Sequence, residues 1–135
     1  MRMLVAEDNF VNRQLMFKLL LPLGECDMAV NGREAVTAFE EALNAGKPYD
    51  LVCLDIMMPE MDGHEALKNI RKLEKERKIS DQNRAKVLMT TAVEAKSCIA
   101  GAFRSGCEAY LTKPIKRVTF YTELEKLGLM APANG

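Results

Sequence analysis

Five polar positions set the chemistry this chain can attempt: Glu7 and Asp8, Asp55, Thr91 and Lys113. Each ends or follows a short apolar run. Met3 to Ala6 precedes Glu7-Asp8, Leu51 to Leu54 precedes Asp55, Val87 to Thr90 precedes Thr91, and Ala109 to Thr112 precedes Lys113. If these runs are strands of one parallel sheet, their carboxyl ends share a rim, and that rim is where open α/β sheets bind ligands. Three carboxylates gathered there repel one another, so one of them takes up a proton or a cation balances them. Lys113 supplies one positive charge, a compact ammonium suited to phosphate. The remaining negative charge suits a hard divalent ion. Mg²⁺ fits best, because it takes oxygen ligands, keeps several waters, and commonly uses one or two carboxylates with a phosphate oxygen. The set reads as a Mg²⁺-dependent phosphoryl site.

Each residue also has a local use. Asp8 or Asn9 can cap the helix that follows, and so can Asp55, although Pro59 and Gly63 push that helix start further along. Thr91 is an ordinary strand residue. Lys113 before Pro114 can be a turn lysine. Capping alone does not account for complementary groups at the same end of four strands.

The elements that must position these groups follow from hydrophobic spacing. The run from Asp50 to Pro59 has no polar residue between Asp50 and Asp55, the pattern of a strand buried on both faces. Met3–Ala6, Val87–Ala92 and Ala109–Thr112 are similar, and Cys26–Val30 is a shorter, less apolar strand expected at an edge. Val11, Leu15 and Leu19 mark one face of a first helix, closed by Pro22 and Gly24. Asn31-Gly32 turns the chain into a helix bearing Ala35, Val36, Phe39 and Leu43, stopped by Gly46 and Pro48. After the loop signal Asp62-Gly63 comes a helix with Ala66, Leu67, Ile70 and Leu73. It runs into Glu74-Lys75-Glu76-Arg77-Lys78, whose alternating signs indicate a solvated face. Ser80–Arg84 is a polar loop. A modest helix over 95–104 carries Cys98, Ile99, Ala102 and Phe103. Val118, Tyr121, Leu124 and Leu127 support a last helix, stopped by Gly128. Five strands alternating with five helices predict an α/β, doubly wound five-stranded parallel sheet with helices on both faces.

Composition bounds the function. The 135 residues, 48% hydrophobic and 28% charged, suffice for one domain with a real core. It is placed at residues 1–128, with 129–135 as a frayed tail. Nineteen basic and nineteen acidic side chains cancel, which argues against a nucleic-acid module. No apolar run reaches membrane-spanning length. The N-terminus meets acid too early for a signal peptide, so a cytoplasmic location is expected. The four cysteines show no Cys-x-x-Cys spacing, so neither disulfide nor zinc use is expected, and Cys53 reads as a small buried hydrophobe. His64 has no partner at ligand spacing and reads as a solvated helix residue.

At these positions the chain resembles the response-regulator receiver domain of two-component signalling, the CheY-like family, from about Met3 to Gly128. The motifs are Glu7-Asp8 after the first strand, Asp55 followed by Met-Pro-x-Met-Asp-Gly to Gly63, Thr91-Ala92, and Lys113-Pro114. The resemblance implies a flavodoxin-like strand order 2-1-3-4-5. It implies that Asp55 is the phosphoacceptor, charged from a phosphohistidine on a histidine kinase or histidine-phosphotransfer protein. Asp8 would bind Mg²⁺ (or Mn²⁺) directly and Glu7 through water, with Asp55 and the backbone carbonyl of Met57 completing the protein ligands. Lys113 would contact the phosphoryl group, and Thr91 would bond one of its oxygens. Tyr110 matches an aromatic switch position that turns inward as Thr91 moves. The surface of the fourth helix, fifth strand and last helix would then change its affinity for a downstream effector. Such a domain is a signalling phosphoacceptor rather than an enzyme, at most catalysing its own phosphorylation and slow dephosphorylation. Neither a nucleic acid nor a membrane is an expected partner.

Details refine this. Glu7 stands where aspartate is commoner, and its extra methylene still permits coordination through water. By the same resemblance, Met57 and Val93 match the positions that in receivers orient or block the hydrolytic water. Two apolar groups cannot hydrogen-bond it, so slow self-dephosphorylation is expected. The segment Glu7–Arg13 resembles receivers of hybrid sensor kinases and their relays, which favours a histidine-phosphotransfer partner. Lys113-Pro114 is expected to be cis.

Three rivals are weaker. A haloacid-dehalogenase-type phosphatase needs Asp-x-Asp, and Met57 in the second position cannot protonate a leaving group. A flavodoxin-like flavin carrier needs hydroxyls and amides where Glu7-Asp8 offers negative charge. A pseudo-receiver that works without phosphorylation has no need of all five chemical groups.

Overall fold

Five short runs, each unbroken by glycine or proline, pair side by side. In the computed structural model, which describes residues 1–92 and 106–130, the strands are β1 (Arg2–Ala6), β2 (Glu25–Ala29), β3 (Leu51–Asp55), β4 (Lys86–Thr91) and β5 (Ala109–Thr112). All pairs are parallel, in the order β2-β1-β3-β4-β5, so the expected topology holds and β2 is an edge. The described helices are α1 (Phe10–Leu20, extended by a 3₁₀ turn at Leu21–Leu23), α2 (Gly32–Asn44), α3 (Gly63–Glu76) and α4 (Arg117–Lys126). The expected helix over 95–104, with Cys98, lies outside the described residues, as do Val93 and residues 131–135.

Three helices start on side-chain caps. Asn9, Asn31 and Asp62 each accept a hydrogen bond from the backbone N–H three residues on. Asn31-Gly32 and Asp62-Gly63, read from sequence as turns, therefore open α2 and α3. Gly63 is demanded by close approach: a Cβ there would lie 2.5 Å from the Asp55 carbonyl oxygen. Its own N–H donates to Ile56 O at 2.9 Å, fastening the start of α3 to the end of β3.

Strand alternation divides the core in two. Leu4 and Ala6 of β1, Val52 and Leu54 of β3, and Val87 and Met89 of β4 face α2 and α3. Met3 and Val5, Leu51 and Cys53, Leu88, and Ala109 and Leu111 face α1 and α4. Phe39 and Phe120 anchor the two sides, each contributing about 2–3 kcal/mol on burial.

Some expected helix faces are corrected. On α1 the buried stripe is Met16, Leu19 and Leu20, while Val11 is 71% and Leu15 40% exposed. On α4 Phe120 and Leu124 are buried and Val118 is 78% exposed. Glu74 is not solvated: at 4% exposure it pairs with Arg71 at 2.7 Å and accepts the Ala85 N–H at 2.7 Å. Lys75 to Lys78 are exposed, as the charge pattern suggests. Leu129 and Met130 pack against the α1–α4 core. Cys26, Cys53 and Cys107 are free thiols. His64 is half-buried in the first turn of α3. No described helix is long and apolar enough to cross a membrane.

Candidate functional site at the carboxyl rim

The parallel ladders run one step past the strands. Glu7 N–H donates to Ala29 O at 3.1 Å, Ile56 N–H to Thr90 O at 2.9 Å and Lys113 N–H to Thr91 O at 2.7 Å. Glu7, Asp55 and Lys113 thus keep strand geometry and continue the α1–α4 phase of Val5, Cys53 and Leu111. Three residues distant in sequence meet on one face for that reason.

Their side chains form one electrostatic unit. Lys113 Nζ lies 2.9 Å from Glu7 Oε2 and 3.1 Å from Asp55 Oδ2. Ligand oxygens of Glu7, Asp8 and Asp55 all fall within 4.8 Å of one another. Glu7 and Asp55 are buried, whereas Asp8 is exposed. Burial and then the Glu7 charge push the Asp55 carboxyl up to about 7, against the opposing pull of Lys113. Burial alone would lower the Lys113 ammonium, but its hydrogen bond to Glu7 and the charges of Asp55 and Glu7 hold it above its usual value.

One ammonium pairs with two carboxylates of a cluster of three, and every donor atom of that cluster is oxygen. That surplus of negative charge on hard ligands fits Mg²⁺. The turn after Asp55 is tied to the site, since Met57 N–H donates to Asp55 Oδ1 at 3.2 Å. Met57 itself is 64% exposed beside the rim.

Thr91 stands in the opposite strand phase, in line with Val87 and Met89. Its hydroxyl donates to Ala92 O at 3.3 Å, and its carbonyl accepts from Lys113. Tyr110 points outward from β5 and is exposed. The Lys113-Pro114 bond is cis, as expected.

Two further residues belong to this rim and escaped the sequence reading. Thr90 is the cross-strand partner of Asp55. It lines a cavity of about 40 Å³ with Glu7, Leu15, Met16, Lys113 and Ile115. Its only sequence signal is the strand period, which gives Thr90 rather than Thr91 the phase of Leu88. Arg13 donates from Nη1 to the Glu7 carbonyl at 2.8 Å. It stands in the first turn of α1, close after Glu7-Asp8, and that proximity was a legible signal.

A family model described as the response regulator receiver domain matches residues 3–125. The chain is 34% identical over 128 residues to hybrid signal transduction histidine kinase L of Dictyostelium discoideum, covering 94% of this chain but 7% of that kinase. In fold it resembles the receiver domain of the Saccharomyces cerevisiae response regulator Ssk1, solved in complex with the histidine phosphotransfer protein Ypd1. That match has TM-score 0.81 and 26% identity, over 98% of this chain and 94% of that one. It also resembles the receiver domain of sensor histidine kinase PA1611 from Pseudomonas aeruginosa, solved with a magnesium ion in its active site cleft. There the TM-score is 0.75 at 28% identity, over 93% of this chain and 94% of that one.

Proposed function

The chain belongs to the response-regulator receiver family of two-component and phosphorelay signalling, and from that premise we propose that Asp55 accepts a phosphoryl group from a partner's phosphohistidine. The observation that carries this reading is the Lys113 ammonium bridging Glu7 and Asp55 inside a cluster of three carboxylates.

Asp8, Asp55, the Met57 carbonyl and, through water, Glu7 would hold a divalent cation, Mg²⁺ or Mn²⁺. When bound, it supplies charge neutralisation at the phosphoryl oxygens. The chain's own part is placement. Met57 N–H holds one oxygen of Asp55, so the carboxylate presents a defined face to the incoming phosphorus. An Asp55 oxygen forms the new P–O bond while the P–N bond breaks, and the donor imidazole keeps that electron pair. The transition state is loose, so alignment and charge stabilisation suffice. Lys113 already faces the acids and stays beside the product acyl phosphate. Thr91 then turns its hydroxyl to a phosphoryl oxygen, and Tyr110 moves inward from its exposed place on β5. A downstream effector reads the change. Val11 and Leu15, exposed on α1, offer a histidine-phosphotransfer partner an apolar face beside the rim. The place of action on this reading is the cytoplasm.

A phosphatase reading is not favoured, because Met57 stands where a general acid is needed. The test is intact mass after incubation with a small-molecule phosphodonor and Mg²⁺. A gain of one phosphoryl group in the native protein, absent in Asp55→Asn, is the expected result. No gain would reject the acceptor, and rapid release of phosphate would point to the phosphatase.

A further inference from the structure

Among the described residues, Asp8 is the acid of the cluster whose carboxylate has no protein partner. It is exposed, and no hydrogen bond or ion pair to its side chain occurs among the described residues. Glu7, by contrast, is tied at its N–H to Ala29 O and at its carboxylate to Lys113 and the Asn9 N–H. What the described residues offer to direct Asp8 acts through the backbone. The Glu7 carbonyl and the Asp8 N–H belong to one rigid peptide plane. Arg13 Nη1 donates to that carbonyl at 2.8 Å.

We propose that Arg13 is a positioning residue: by holding the Glu7–Asp8 peptide plane, it aims the Asp8 carboxylate at the cation site. Its own placement is well determined. The Arg13 backbone N–H bonds Asn9 O at 2.9 Å, on the capped first turn of α1. Its guanidinium carbon lies 5.6 Å from the centroid of the Phe10 ring. The planar fork is pre-organised, so little freedom is lost in making the bond. Without it, the peptide plane keeps its flanking anchors at Glu7 and Asn9 but loses the bond that sets its tilt, and the aim of Asp8 loosens with it.

A second role would act with the opposite sign. A positive charge near a cation site repels the incoming ion, so loss of Arg13 through charge alone would tighten cation binding. The positioning role predicts weaker binding instead.

The inference rests on the Mg²⁺ site proposed above, and titration calorimetry of Mg²⁺ with the full chain separates the two. Arg13→Met and Arg13→Gln are both neutral and similar in length, but only glutamine can donate to the Glu7 carbonyl. Charge effects cancel between them. Arg13→Met is expected to bind Mg²⁺ about tenfold more weakly than Arg13→Gln, the usual scale for losing a group that orients a metal ligand. Thermal melting in chelator reports whether both variants fold. Equal affinities of the two variants would overturn the positioning role. Absence of Mg²⁺ binding by the native chain would sink the site itself. If Arg13→Met does not fold, Arg13→Leu takes its place against Arg13→Gln, since it too is neutral and cannot donate to the Glu7 carbonyl, and the same outcomes sustain or overturn the proposal.

Discussion

Lys113 Nζ reaches across β4 to stand 3.1 Å from Asp55 Oδ2, joining the edge strand β5 to the centre of the sheet. The pair does not fully neutralise the site, because Glu7 competes for the same ammonium at 2.9 Å. Burial first, and then the Glu7 charge, push the Asp55 carboxyl up to about 7 from its ordinary 3.8, against the pull of Lys113. Four predictions follow from this geometry and from the packing around it.

Asp55 should make the metal-free protein less stable as pH rises. Its folded pKa is above the unfolded one, so its stabilising contribution is complete below about pH 4 and is lost as pH passes through about 7. In EDTA at pH 8, Asp55→Asn should melt higher than the native chain, by about 2 kcal/mol. The full linkage is about 4 kcal/mol, reduced because Lys113 loses a charged partner. At pH 5 the difference should shrink. Adding Mg²⁺ at pH 8 should stabilise the native chain but not the variant. A native chain that outlasts Asp55→Asn in EDTA at pH 8 would contradict the pKa assignment.

Met57→Asn should shorten the life of the phosphorylated form several-fold. The side chain is exposed beside Asp55, and methionine offers no useful hydrogen bond to a hydrolytic water. Decay of the phosphorylated mass after donor removal measures this. Unchanged or slower decay would count against it.

Gly63→Ala should both destabilise and misplace the acceptor. The added Cβ meets the Asp55 carbonyl oxygen at 2.5 Å and the Ile56 Cα at 2.9 Å, both backbone and unable to step aside alone. The cost should be about 2 kcal/mol or more in urea unfolding. Phosphorylation should slow in the fraction that remains folded.

Glu74→Ala should cost about 2–4 kcal/mol, since it leaves the Ala85 N–H unpaired and removes one partner of Arg71. The loss should stay below the upper end because Glu108 also pairs with Arg71, at 2.8 Å. Mg²⁺ affinity should not change, as this network lies at the opposite end of β4 from the rim. A variant as stable as the native chain would show that Glu74 is in practice solvated.

Much of this molecule was legible in its residue order because strand ends are local events. An apolar run that stops at Asp55, or at Lys113 before Pro114, announces a rim residue without reference to the rest of the chain. The strict alternation of strands and helices carried the parallel, doubly wound architecture, while the strand order was implied by the family resemblance. Helix facing was less accessible. Spacing in α1 and α4 shows that apolar stripes exist, but Val11 and Val118 fit a stripe as well as Met16 and Phe120 do. Which stripe meets the sheet is decided only when the helix docks. Glu74 looked solvated among its charged neighbours until Arg71 and the start of β4 closed over it. The rim shows the same division. Its acids and amine can be listed from the one-dimensional chain, whereas the bond from Arg13 to the Glu7 carbonyl is made only when the first turn of α1 closes back on the end of β1, and the pairing of Thr90 with Asp55 depends on ladder register, a relation between strands that no single segment encodes.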